Sequence, residues 1–318
     1  MKAFKYLLFV FTLCLFSCDD ILEEDISDNK VITSTPEEGD IIESNVVDFQ
    51  WEELEGAKKY RLHILDENDI IIKDTLTDRL SLTLPLDAGD YKWKMRGENF
   101  AYQSKYTDLI HFQVIESDDL TKQKVILLSP STDFYTNSKT FSVEWEELAA
   151  AETYTIRVVN VTNSNTIVLD QSGLTATTYA MNNSILGQDA RYEWKIKAVN
   201  ATSETLFSTR TFYVDTVVPN QPQNTLPANN AVNAVNQNVN FSWTMTADSG
   251  TIQSPIELYV IEIARDAAFT DIIQTSNTTT TTFQRSFNTA GDVYWRVKAK
   301  DKAGNFSPVS AAYKLTIN

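Results

Sequence analysis

One pattern recurs three times along this chain and limits its fold more than any other feature. Two runs of alternating apolar and polar residues follow one another across a short connection. In residues 141–158 the apolar positions are Phe141, Val143 and Trp145, then Tyr154, Ile156 and Val158. Upstream they are Val47, Phe49 and Trp51, then Tyr60, Leu62 and Ile64. Downstream they are Val239, Phe241 and Trp243, then Tyr259, Ile261 and Ile263. A period of two buries one face of a strand and leaves the other wet. Three copies of a two-strand unit define a tandem array.

The tryptophans extend the repeat. All six fall two to a copy, Trp51 and Trp93, Trp145 and Trp194, Trp243 and Trp295. Successive first members are 94 and 98 residues apart, and successive second members 101 and 101. Each lies on the apolar face of its strand. These six form the predicted core, each pair meeting across the gap between two sheets packed ~10 Å apart. A repeat of roughly 100 residues in a chain of 318 predicts three domains, each able to bury its own core. The boundaries are 31–117, 118–215 and 216–318. Turn residues separate about seven short strands in each, with no helical pattern. The fold class is therefore all-β, three Ig-like β-sandwiches in tandem. Pro219 and Pro222 make the last linker a stiff, extended join.

Net charge is −16, of which −3 precedes residue 31 and the rest is spread unevenly as −9, −4 and 0 over the three domains. Such an excess of acid argues against nucleic acid, whose phosphates it would repel. Cys14 and Cys18 are the only cysteines, so the domains carry no disulfide, thiolate metal site or cysteine nucleophile.

Lys2 and Lys5 precede an apolar run from Tyr6 to Phe16. Eleven residues are too few to span a ~30 Å hydrocarbon core, and they suit a signal peptide. The end of the run, Leu15-Phe16-Ser17-Cys18, resembles a bacterial lipoprotein signal. The resemblance implies that residues 1–18 are a signal ending at a lipidated Cys18, with a membrane as partner. Residues 19–30 hold six acids and one lysine. This composition predicts a disordered tether. Acids directly after the cysteine resemble the surface-export signal of lipoproteins in Gram-negative glycan-foraging bacteria. Asp19 also resembles an inner-membrane retention signal of other Gram-negative bacteria. The reading adopted is an outer membrane protein exposed at the cell surface.

A tryptophan on the second strand, a tyrosine opening the third and the step Leu86-x-x-Gly89-x-Tyr91 resemble fibronectin type III domains. The resemblance implies that Tyr91 forms a tyrosine corner. Tyr192 keeps that position in the second domain, and Val293 replaces it in the third.

No catalytic motif is present. His63 and His111 fall on outward faces of predicted strands and have no metal-ligand spacing. No phosphate-binding glycine loop, nucleophile elbow or calcium loop occurs. Carboxylate pairs such as Glu52-Glu53 and Glu146-Glu147 follow strand ends, where solvent accounts for them. The reading is a non-enzyme with no cofactor and no metal.

Loop aromatics are the best signal for a ligand, because sugar faces stack on rings. Phe100 and Tyr102 lie in the loop GENFAYQSKY, and Phe134 and Tyr135 in an early turn of the second domain. Both sites are expected near the first joint, where interdomain packing competes with glycan binding. The interval from Trp243 to Tyr259 is 16 residues, against 9 in the other copies. This insertion either binds or stiffens the second joint. Amide-rich 228–237 and 288–292 occupy the free pole of the third domain. Two functions remain open: glycan capture or adhesion in a surface uptake system, and a spacer or assembly partner of an outer-membrane complex.

Overall fold

The computed structural model describes residues 23–318. Cys18 and the signal lie outside the described residues. The chain divides after Glu116 into two compact units.

The first unit holds β1 (Thr33–Thr35), β2 (Asp40–Ile42), β3 (Val46–Trp51), β4 (Lys59–Leu65), β5 (Ile71–Thr77), β6 (Ser81–Pro85), β7 (Gly89–Glu98) and β8 (Ile110–Val114). They form two sheets, ordered β1-β3-β6 and β2-β8-β7-β4-β5. All pairs are antiparallel except β2 with β8.

The second unit repeats this plan twice. Its first half contains β9 (Leu127–Ser129), β10 (Phe134–Thr136), β11 (Ser142–Trp145), β12 (Thr153–Asn160), β13 (Thr166–Leu174), β14 (Thr178–Ala180), β15 (Ala190–Val199) and β16 (Ser208–Val214). Its second half contains β17 (Gln223–Leu226), β18 (Ala231–Asn233), β19 (Asn238–Thr244), β20 (Ile256–Ala264), β21 (Ile272–Thr278), β22 (Thr282–Ser286), β23 (Gly291–Asp301) and β24 (Tyr313–Ile317). The sheets are β14-β11-β9 with β10-β16-β15-β12-β13, and β17-β19-β22 with β18-β24-β23-β20-β21. Each strand of one copy has its counterpart eight strands later. The chain is thus all-β, three two-sheet sandwiches of one topology.

Each copy has eight strands where seven were expected. The opening strand is broken, and its halves join opposite sheets. In the first copy Pro36, which has no N–H to donate, and the turn at Glu37–Gly39 make the break. Gly39 takes φ +84°, which suits glycine.

The cores fill the gap between sheets. All six tryptophans are buried, with Trp51 the most exposed at 4%. Trp145 and Trp194 meet with ring centroids 6.4 Å apart. In the outer copies the ring pairing differs from the expected indole pair. Trp93 and Trp295 set their edges against Phe49 and Phe241, each at 5.1 Å. These phenylalanines stand two residues before Trp51 and Trp243, on the same strand face. A phenylalanine in the same column therefore takes the position across the gap.

The Tyr91 hydroxyl donates to the Asp87 carbonyl at 3.0 Å, and Tyr192 to the Gln188 carbonyl at 2.8 Å. Each such bond fastens the entry to a long core strand and is worth about 1 kcal/mol. A second tyrosine fixes the preceding loop. Tyr60 and Tyr154 accept from the N–H of Leu54 and Leu148, each at 2.9 Å.

The expectation of a disordered tether over 19–30 needs correction for its described part. Ile26 is fully buried against the first sandwich. Asn29 accepts from the Lys105 N–H at 3.0 Å, and the Lys105 ammonium pairs with Asp28 at 2.8 Å. A Cβ on Gly56 would stand 2.9 Å from the Ile26 side chain, so glycine permits this close approach. The acidic average concealed one anchoring isoleucine. No helix among the described residues is long and apolar enough to cross a membrane.

Candidate functional site

Among the described residues, the loop between β7 and β8 carries the most exposed aromatic side chain. Phe100 is 96% exposed, while Tyr102 is partly covered. The loop itself is firmly held. The Asn99 carboxamide donates to the carbonyls of Glu24 at 2.8 Å and Gly56 at 3.0 Å. Its Oδ1 accepts from the N–H of Ala101 at 3.1 Å and of Tyr102 at 2.7 Å. One side chain thus ties three segments together and presents Phe100 to solvent. Asn200 does the same in the second copy, bonding the carbonyls of Asp118 and Ala150. Glu24 and Asn29 lie on the segment by which the chain enters the first sandwich. The Phe100 loop therefore belongs to the entry pole of the first sandwich.

Phe134 and Tyr135 are not in an exposed turn. They lie in β10, which runs parallel to β16. Phe134 packs edge-on against Phe141 at 5.6 Å, and Tyr135 stacks on Tyr213 at 4.4 Å. Two residues on, the Asn137 N–H donates to the Ala303 carbonyl of the third copy at 3.0 Å. This pair serves the edge of a core beside the second joint, and its rings are already engaged.

The outer face of the five-stranded sheet in the first unit carries a charged network. Arg61 pairs with both Asp74 and Glu98 at 2.8 Å, and Arg96 also pairs with Glu98, at 2.7 Å. The Tyr106 ring lies over Arg96 and Lys94. Hydrogen bonding to Arg61 holds the Asp74 carboxyl below its ordinary range. His63 departs from the expected solvated state. Its Nε2 is 3.2 Å from the Tyr106 hydroxyl, and its side chain is largely covered. Burial lowers its pKa, which the neighbouring Asp74 opposes. His111 is exposed and pairs with Glu38 at 3.1 Å.

The second joint is a built polar contact; the sequence marked its inserted loop but not the buried groups that the loop meets. Asp215 is fully buried and Asp301 is 1% exposed. The Asp215 carboxylate accepts from the N–H of Val217 at 3.1 Å and of Ser254 at 3.0 Å. Asn305 donates to the Asp215 carbonyl and to the Asp301 carboxylate, both at 2.9 Å. Burial raises the Asp301 pKa, its bonds from Asn305 oppose this, and Asp215 adds to the rise. The inserted loop before β20 supplies Ser254, so it joins the two halves of this unit. The interval of 16 residues was the available signal.

No family model matches the chain, and none of the curated proteins matches it. Among solved structures it is similar to the chicken CNTN1 FN1–FN3 domains, at 14% identity and a TM-score of 0.45, covering 91% of this chain and 99% of that one. It is also similar to fibronectin(III)-like modules of Clostridium thermocellum CbhA, at 16% identity and a TM-score of 0.39, covering 61% and 93%.

Proposed function

We propose that this chain is a non-catalytic cell-surface lipoprotein, held to the outer membrane through Cys18, that captures glycan for a surface uptake system. The observation that carries the glycan reading is Phe100. An exposed ring on a loop fixed by Asn99 is a platform prepared for the face of a sugar. Tyr102 adds a hydroxyl two residues away. The lipid anchor rests on the signal sequence alone. Affinity electrophoresis in polysaccharide gels tests the first part. Phe100→Ala/Tyr102→Ala is expected to weaken retardation, and unchanged retardation would end the reading. Incorporation of labelled fatty acid into the wild type but not into Cys18→Ala tests the second.

A different observation favours assembly with a protein. β5 is the free edge of its sheet, and Ile70, Ile71, Ile72 and Leu76 are exposed on and beside it. An apolar edge with unpaired backbone can accept another strand. An outer-membrane protein that co-purifies with the wild type, and is lost on Ile72→Lys, would favour this role over glycan capture.

A further inference from the structure

The three copies allow one surface position to be compared within a single chain. In the first copy the residue after the core tyrosine of β4 is Arg61, and the fifth residue after Trp93 is Glu98. Their ion pair, with Asp74 and the Tyr106 ring, fills the outer face of that sheet. In the second copy the matching residues are Thr155 and Val199. The Arg61–Glu98 pair is gone, while Asp170 and Phe207 stand where Asp74 and Tyr106 do, and an open trench of about 460 Å³ lies there.

The lining of this trench is specific. Thr153, Thr155 and Ser172 form a hydroxyl floor, with the Thr155 hydroxyl donating to Ser172 Oγ at 3.2 Å. Arg157 donates to Asp170 through Nε and Nη2, at 3.1 and 2.8 Å. Lys197 pairs with Glu204 at 2.6 Å. The Phe207 ring adds an apolar wall, with Arg157 and Lys197 at 5.2 and 5.4 Å from its centre. Gly173 takes φ +75° on β13, and a Cβ there would meet nothing within 4 Å, so the rim stays low.

The chemistry selects a ligand class. Two cations and two anions line the trench and are paired, so it has no net charge with which to favour an ionic ligand. Each pair still offers donors and acceptors beyond those it uses internally. Hydroxyls and one aromatic ring supply the rest. The volume falls within the range of small-molecule sites, but the trench is open, which suits part of a chain lying across it. We propose that this trench binds a segment of neutral oligosaccharide, as a site separate from the Phe100 loop.

The test refills the trench with what the first copy carries. Thr155→Arg/Val199→Glu is compared with Asp170→Asn, Phe100→Ala/Tyr102→Ala and the wild type. The purified full-length proteins are run in gels containing β-glucan, xylan or mannan, and titrated calorimetrically with the matching hexasaccharides. The refilled variant is expected to bind at least tenfold more weakly with an unchanged Tm, and Asp170→Asn to weaken binding several-fold. Wild-type retardation of the refilled variant, with loss only in Phe100→Ala/Tyr102→Ala, overturns the trench and leaves the loop reading standing. Loss only in the trench variants supports the trench and removes the loop. No retardation of the wild type in any gel overturns both. Binding of extended peptides that refilling abolishes, without glycan binding, overturns the ligand class.

Discussion

The backbone N–H of Ser254 donates to Asp215 Oδ2 at 3.0 Å. Ser254 sits in the lengthened loop of the third sandwich, and Asp215 directly follows β16 of the second. Through this bond, and that of Val217, a buried carboxylate satisfies two donors at the seam. Replacing Asp215 by Ala strands both N–H groups, each at a cost of ~1–3 kcal/mol. The expected outcome in calorimetry is that one transition for residues 117–318 separates into two in Asp215→Ala. A single transition in the variant would show that apolar packing alone couples the halves.

Trp145→Ala removes a fully buried indole that touches Trp194 and Tyr154. The loss is expected to be ~3–5 kcal/mol. Because Asp215 and Asn305 join the second and third sandwiches, both should lose stability. The transition of the first unit should not move. Urea unfolding followed by tryptophan fluorescence and by exchange of the first unit's amides separates the two responses.

The indoles also differ in their polar ends. Trp93 Nε1 donates to the carbonyl of buried Pro36 at 3.1 Å, whereas Trp295 Nε1 is buried without an acceptor. Trp93→Phe and Trp295→Phe lose the same volume, but only the first breaks a hydrogen bond. Trp93→Phe is expected to cost ~1 kcal/mol more, read from the two urea midpoints.

The raised Asp301 pKa sets the sign of a pH effect. Between the unfolded value near 3.8 and the higher folded value, the folded chain binds more protons than the unfolded chain. Stability from this group is therefore complete below the unfolded value and is lost as pH rises through the folded one. Asp74 acts the opposite way. Its pKa is lowered, so its contribution is present above 3.8 and is lost on acidification. Asp301→Asn should reduce the alkaline-side loss in the second unit, measured as the wild-type minus variant difference from pH 3 to 7.

Gly56→Ala places a Cβ at φ +79°, 2.8 Å from Glu24 Oε2 and 2.9 Å from Ile26 Cγ2. The strain is expected to cost at least ~1 kcal/mol and to displace the entry segment. Faster tryptic cleavage after Lys30 would register the displacement.

The sandwiches were legible in the sequence because a half-buried strand writes its burial every second residue. Phe49, Trp51, Tyr60 and Leu62 announce their sides directly. Tyr91 was legible because its hydroxyl bonds a carbonyl only four residues back. The lengthened loop marked the joint, but its partners were hidden, since Asp215 meets Ser254 and Asn305 across 39 and 90 residues, and a buried Asp looks like a surface one in sequence. Phe134 misled for a related reason. Turn residues surround it, but it is partly covered by Phe141, which directly precedes β11 of the facing sheet. His63 lost its expected exposure to Tyr106, which arrives from a loop 43 residues away.

Ile26 also shortens any leash that starts at Cys18. Between a fixed isoleucine and that cysteine lie eight residue steps, which reach at most ~30 Å when fully extended. An acyl-anchored copy would hold its first sandwich close to the bilayer. The entry-pole ring of Phe100 would then meet headgroups or polymer lying against the membrane before anything farther out.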